Sequence, residues 1–420
     1  MKTLTRRGLA GLAGASCLPA ARAATRPAAP RVVVIGGGAG GATVARYLAM
    51  NDKPLDVTLV EPKQRYTTCF FSNLYLAGLR SFESLTRGYD ALADRYGIQV
   101  VHDHAAAIDP AAKTVRLGGG ASLPYDRLVV APGIAFRDGA IAGYDDAAMQ
   151  IMPHAWMAGP QTLLLRSQLE AMPDGGVFVI AAPADPFRCP PGPYERASLV
   201  AAYFRQHKPR SKIQILDAKD TFFEQELFQD GWNRHYPGMI EWLPNQFIGT
   251  IESVDVKDRS IRTADQTFKA DVINLIPPQL AAGLARQAGL ADETGWCPVD
   301  PATYESTLHR DIHLVGDAVS VGIMPKSAYV ANSQAKACAF AIASALIGSE
   351  PVRPFLYNTC YTFLAPDDAV SDAISFRIAS GKTEIAEILM SKLDQSPAER
   401  AAAVREANGW YDAFTRDIFG

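Results

Sequence analysis

The sequence predicts an α/β protein made of two Rossmann-like domains followed by a smaller C-terminal α+β domain. Three observations predict it. A short apolar strand runs into a glycine turn and then a helix at "RVVVIGGGAGGATVARYLA"; a second strand–helix alternation begins near Met152; and a late strand, "HLVGDAV", returns the chain to the first unit. At 420 residues, 48% of them hydrophobic, the chain is long enough to bury several cores. Its charged fraction of 20% and its Gly and Pro counts of 33 and 28 are those of a globular protein.

The N-terminus reads as an address rather than as part of the fold. Paired Arg6 and Arg7 precede a modest stretch rich in Gly and Ala, and Ala21-Arg22-Ala23 makes a small-x-small cleavage site. That order predicts a Tat-type signal peptide over residues 1–23 and a periplasmic protein, exported after it has folded around its cofactor. Removal takes away Lys2, Arg6, Arg7 and Arg22 and no acid, so the mature chain is more acidic than the formal −3 of the whole. Such a balance argues against a nucleic-acid partner. The mature part holds no run of about 18 or more apolar residues, which argues against a transmembrane segment.

The first domain is expected over residues 31–150 and 271–348. Its glycine turn is spaced Gly36-x-Gly38-x-x-Gly41: the first permits the tight turn, the second lets backbone approach a pyrophosphate, and the third lets helix pack on strand. Glu61 ends the next strand, "LDVTLVE", at the distance that suits an acid gripping ribose hydroxyls. Strand, helix and acid together mark a dinucleotide site. From Ile98 to Val130 short strand patterns alternate with turns, which predicts a small antiparallel meander. On the return segment Gly316-Asp317 closes a strand, where an aspartate commonly binds the ribityl chain of FAD, and "MPKSAYVANSQAKACAFAIASALIG" predicts a long helix aimed at the flavin ring.

The second domain, residues 151–270, repeats the pattern with a helix in "TLLLRSQLEAM" and strands in "GGVFVIAA" and "SKIQILDA". Where a nicotinamide-binding loop would follow the first of these strands, the chain has "PADPFRCPPGP". Prolines fix φ and lack an N–H, and the glycines that admit a pyrophosphate are missing. This domain therefore reads as a nucleotide fold that has lost its nucleotide. Residues 349–420, rich in Tyr and Phe, form the third region, as a dimer face, a partner platform or a core.

Of six cysteines, Cys17 departs with the signal and five remain in a compartment where disulfides persist; an odd number leaves at least one outside an internal pair. Cys69, in "RYTTCFFSN", lies on the segment that runs toward a flavin ring, with Leu74 where a CxxxxC partner would stand. It reads as a thioether to flavin, half of a long-range disulfide, or a buried thiol. Cys189 sits in the stiff loop at a strand's carboxyl end, where open α/β sheets bind ligands. Glu195 opens the following helix as a nearby base or, on the residues alone, a solvated first-turn carboxylate. Cys360, in "NTCYT", stands between Tyr357 and Tyr361; Cys297 and Cys338 read as structural. The seven histidines form no compact ligand cluster, so no metal site is expected.

With these motifs placed, the chain resembles the flavoprotein subunit of flavocytochrome c sulfide dehydrogenase, a glutathione reductase-like flavoprotein. The resemblance spans the mature chain, including "NTCY" and "WYDAFTRDIFG"; its specific signatures are "CPPGPYER" and "YTTCFFSN". It implies FAD bound covalently through Cys69, a redox-active disulfide between Cys189 and Cys360, Glu195 as an active-site acid or base, and hydrosulfide as substrate. No C-x-x-C-H occurs in the chain, so the haem it implies would sit on a separate cytochrome c subunit. The competing expectations are a sulfide:quinone oxidoreductase, an NAD(P)H-dependent disulfide or ferredoxin reductase, and a redox partner of a sulfur-carrier protein.

Overall fold

The computed structural model describes residues 29–348 and 353–420; the predicted signal peptide lies outside them. Five parallel strands form the first sheet, in the spatial order Ile312–Leu314, Arg127–Val130, Arg31–Ile35, Asp56–Val60, Gln99–Val101. The central strand is covered on both faces, which is why its sequence, "RVVVI", is continuously apolar rather than alternating. The helix Ala39–Ala49 packs against the long helix Ala328–Ile347, whose N-terminus is capped by Ser327 Oγ accepting from Val330 N at 3.0 Å. By length and composition that long helix could cross a membrane, but 67% of its apolar window is buried inside the protein, as a core helix's would be.

The expected meander is present but narrower. Ala105–Asp109, Thr114–Leu117 and Ser122–Pro124 are antiparallel, whereas Gln99–Val101 and Arg127–Val130, read as its ends, are parallel members of the main sheet. Short strand patterns do not reveal which sheet a strand joins.

The second unit has four parallel strands ordered Ile240–Leu243, Lys212–Asp217, Val177–Ala182, Val272–Leu275. Val272–Leu275 pairs with Val177–Ala182, so this unit runs past residue 270, and the chain returns to the first unit later than its sequence suggests. The outgoing and returning passages pair with each other, Ile134–Phe136 antiparallel to Gln279–Ala281, which ties the two units together.

The C-terminal region is an antiparallel sheet of Leu356–Ala365, Asp368–Ala379 and Lys382–Met390, followed by the helix Pro397–Phe419. Ser396 and Glu399 close a capping box at the start of that helix. Its aromatic residues are mostly core: Phe71, from the first unit, stacks on Tyr411 with ring centroids 4.6 Å apart and meets Phe363 edge-on at 5.7 Å. The third strand, by contrast, exposes Ile385, Ile388 and Leu389.

Candidate active site

A cavity of about 420 Å³ begins at the glycine turn and ends among three thiols. At its first end, two glycines are required by close approach. A Cβ on Gly41 would lie 1.9 Å from the Gly36 carbonyl oxygen, and one on Gly36, itself at φ +96°, would lie 2.3 Å from that of Ala131. Glu61, at the end of its strand, accepts from Gly37 N at 2.8 Å and Lys63 N at 3.0 Å, so it shapes the turn as well as lining the cavity with Gly36 and Gly38. Midway, Asp317 and Trp156 each leave one buried polar atom, Oδ1 and Nε1, with no partner among the described residues. A ligand carrying hydroxyls and ring heteroatoms would satisfy both, so the lining fits an FAD-like dinucleotide. Burial pushes the Asp317 carboxyl up, and Arg188, 3.8 Å away, opposes that shift.

Cys69, Cys189 and Cys360 all line the cavity, each partly exposed to it. Cys297 and Cys338 are fully buried in the core. All five are held as thiols, so the disulfide implied for Cys189 and Cys360 is not formed in this structure. Cys69 follows the strand Arg65–Thr67, and its carbonyl accepts from Ser72 Oγ at 2.6 Å. Cys189 has φ +58°, a left-handed conformation costing a non-glycine residue on the order of 1 kcal/mol. The loop holds it there: Cys189 N donates to Lys326 O at 2.8 Å, just before the long helix, and its carbonyl accepts from Gly192 N at 2.9 Å. Gly192 in "CPPGP" is needed because a Cβ there would lie 2.7 Å from Trp156 and 3.0 Å from Cys189 Sγ. Cys360 sits mid-strand, with the Asn358 amide 3.5 Å from its Sγ and Asp372 directly across the sheet.

Burial pushes both active-site thiols above their ordinary range. Their charged neighbours differ. At Cys189, Glu195, Cys69 and Asp317 add to the shift and Arg188 opposes it; at Cys360, Asp372 and Glu224 add to it and the Asn358 hydrogen bond opposes.

Glu195 is no solvated first-turn residue. The helix Gly192–His207 turns it inward, where it accepts from Asn73 Nδ2 at 2.7 Å and from Phe363 N at 3.1 Å. It therefore joins the first unit, the second unit and the strand that carries Cys360. Burial raises it above the usual carboxylate range, with these two hydrogen bonds and Arg196 opposing. Arg196 is 2% exposed and donates to Asn73, Asn274, His154 O and Ala155 O. Sequence reasoning missed Asn73, Arg188, Arg196 and Trp156. All but Trp156 stand in or beside motifs it quoted, but neighbours in a motif carry no sign of which side chain faces the cavity.

The fold and the site together define a dinucleotide-dependent oxidoreductase with thiols at the reacting end, of the pyridine nucleotide–disulphide oxidoreductase type. Residues 30–155 match that family's description. Residues 162–277 match the central part of the sulfide dehydrogenase [flavocytochrome c] flavoprotein chain, and residues 352–419 match the flavocytochrome c sulphide dehydrogenase flavin-binding region. The chain belongs to the family of flavocytochrome c sulfide dehydrogenase flavoprotein chains. It is 60% identical over 43 residues to such a chain from Chlorobaculum thiosulfatiphilum, covering 90% of that sequence and 10% of this one. It is also 23% identical over 322 residues to the mitochondrial sulfide:quinone oxidoreductase of Mus musculus, covering 71% of this chain and 68% of that one. The solved sulfide:quinone oxidoreductase of Aquifex aeolicus shares the fold, with a TM-score of 0.74 at 19% identity over 93% of this chain and 92% of that one.

Proposed function

We propose that this protein oxidises sulfide to sulfane sulfur at a Cys189–Cys360 redox pair, with FAD as the immediate electron acceptor and a haem-bearing cytochrome c subunit as the next. The observation that carries the reading is that Cys69, Cys189 and Cys360, far apart in the chain, line the same cavity, while the other two cysteines are sealed in the core.

In the oxidised pair, hydrosulfide attacks Cys360 Sγ. The S–S bond breaks, Cys189 leaves as a thiolate with the electron pair, and Cys360 keeps the sulfane sulfur as a persulfide, Cys360–S–SH. This direction is the one in which the leaving sulfur has a cation beside it: burial, Glu195, Cys69 and Asp317 raise Cys189 while Arg188 opposes them, and at Cys360 burial, Asp372 and Glu224 act together against only the Asn358 hydrogen bond. Glu195, raised by burial, is suited to take a proton from incoming hydrogen sulfide. FAD, when bound, would supply a two-electron acceptor that can release electrons singly. Asp317 and the glycine turn would hold it, and a thioether to Cys69 would keep it from being lost in the periplasm, to which the Tat-type N-terminus would send the protein. A second sulfide or thiol then removes the sulfane sulfur.

A quinone as final acceptor is the second reading, supported by the likeness to the mouse enzyme. The two separate in one experiment: sulfide is added anaerobically to detergent-free purified protein with either a c-type cytochrome or a short-chain quinone. Cytochrome reduction without quinone reduction is expected, and the reverse would replace the proposed acceptor. Acid precipitation that releases all the flavin, leaving no adduct on the Cys69 peptide, would sink the thioether.

A further inference from the structure

Close to Cys360 lies a group of buried polar side chains linked by ion pairs to a partly exposed arginine. Glu224 caps the helix Gln225–His235 in a left-handed conformation, is 8% exposed, and lies beside Thr362, two residues along the strand from Cys360. The Thr362 hydroxyl is near enough to oppose the rise of its carboxyl, but neither oxygen makes a well-formed hydrogen bond among the described residues. The same holds for Nε and Nη1 of Arg400, 1% exposed, and for Oδ1 of Asp368, 4% exposed. Arg400 Nη1 and Asp368 Oδ1 lie 3.6 Å apart, too far for a direct hydrogen bond. Asp368 Oδ2 is 2.7 Å from His235 Nε2 and 3.2 Å from Arg234 Nη1, whose side chain is 41% exposed.

Buried polar groups are met by protein or by ordered water, and unpaired ones gathered in one place call for a string of water molecules. The gathering runs from the reactive strand to the surface. On the same face of that strand, Asn358 bridges Cys360 to Asp372 through a 2.7 Å hydrogen bond.

We propose that Glu224, Arg400 and Asp368 line a hydrated proton exit from Cys360, opening to solvent at His235 and Arg234, with Glu224 as the first group to take the proton. The inference rests on the sulfide-oxidising reading. There, two hydrosulfides become one HSS⁻, two electrons and one proton. The proton is carried by Cys360–S–SH and needs a route to solvent. The groups facing Glu224 are Asp372 and Thr362 from the sheet, Glu195 from the helix Gly192–His207, and Arg400 from the C-terminal helix. Burial and the nearby Asp372 push Glu224 up to about 8, where a carboxyl can both take and release a proton near neutrality.

The test is anaerobic stopped-flow mixing of the flavin-loaded full chain with sulfide, following flavin bleaching and, with an indicator dye, proton release. Glu224→Gln should keep its flavin and its bleaching by dithionite, slow sulfide-driven bleaching by roughly tenfold or more, and flatten its pH profile. His235→Gln should slow proton release less, with recovery in imidazole buffer but not in salt of equal ionic strength. A Glu224→Gln protein with the wild-type rate and profile overturns the proposal. If that variant takes up no flavin, a His235→Gln protein unchanged with or without imidazole overturns it. Should sulfide fail to bleach even the wild type, dithiothreitol replaces it: slowed bleaching in Glu224→Gln then keeps the exit and removes sulfide, and equal rates remove both.

Discussion

In the first Rossmann-like unit the strand Arg31–Ile35 turns at Gly36 and starts a helix at Ala39, with backbone packed so closely that a single methyl group at Gly41 has no room. In the second, the strand Val177–Ala182 reaches the same topological point, runs on through Pro183 to Pro191, and only then starts a helix at Gly192. One loop is bare so that a pyrophosphate can reach backbone N–H groups. The other is stiff and carries Cys189 in a strained conformation facing the first unit's cavity. The difference teaches that one nucleotide-type frame can carry either a bare phosphate-accommodating turn or a stiff loop that places a thiol at the same cavity.

That contrast can be broken most severely at the sulfur. Cys189→Ser or Cys360→Ser should keep the flavin and abolish bleaching by sulfide; turnover retained in both would refute the pair. At the glycine turn, Gly41→Ala should destabilise the first unit by about 1–3 kcal/mol and lower flavin content, read as Tm and as the ratio of flavin to protein absorbance. The equivalent change in the second loop, Gly192→Ala, should leave flavin content near normal while slowing sulfide-driven bleaching, because its methyl group meets Cys189 Sγ and Trp156. Glu195→Gln should slow turnover on the order of 10²-fold and remove the loss of activity expected of the wild type as pH falls through the raised value of this carboxyl, as a pH–rate profile would read.

The smallest effect concerns stability. Burial raises Asp372 to about 6, with the Asn358 hydrogen bond opposing. A value higher in the folded than in the unfolded protein means that the buried charge is a penalty, absent below about pH 4 and fully present above about pH 6. Asp372→Asn should therefore raise stability by about 1–3 kcal/mol at pH 8 and leave it unchanged at pH 4, by thermal melts at the two values. An equal gain at both would show that charge is not the cause.

Much of the architecture was legible because it depends on local patterns. The glycine spacing, the continuously apolar central strands and the long Ala-rich helix each follow from backbone geometry and burial within a few residues. The edges were not. Gln99–Val101 and Val272–Leu275 are too short for their sequences to say which sheet they pair with, and pairing places both in parallel sheets where the sequence suggested a meander and a domain boundary. Glu195 was misjudged for a related reason. A first-turn carboxylate is solvated unless another element covers it, and here Asn73 and Phe363, from distant parts of the chain, do so.

By itself, the sequence determined the two strand–turn–helix units, the bare loop on one and the proline-stiffened thiol on the other, since these depend on φ preferences and the absence of side chains at defined positions. Only the tertiary structure decided which three of five thiols share a cavity, that Glu224 sits by Cys360, and that Glu195 is covered. Proximity between residues more than a hundred positions apart is set by how sheets and helices pack, and packing leaves no local mark on the chain.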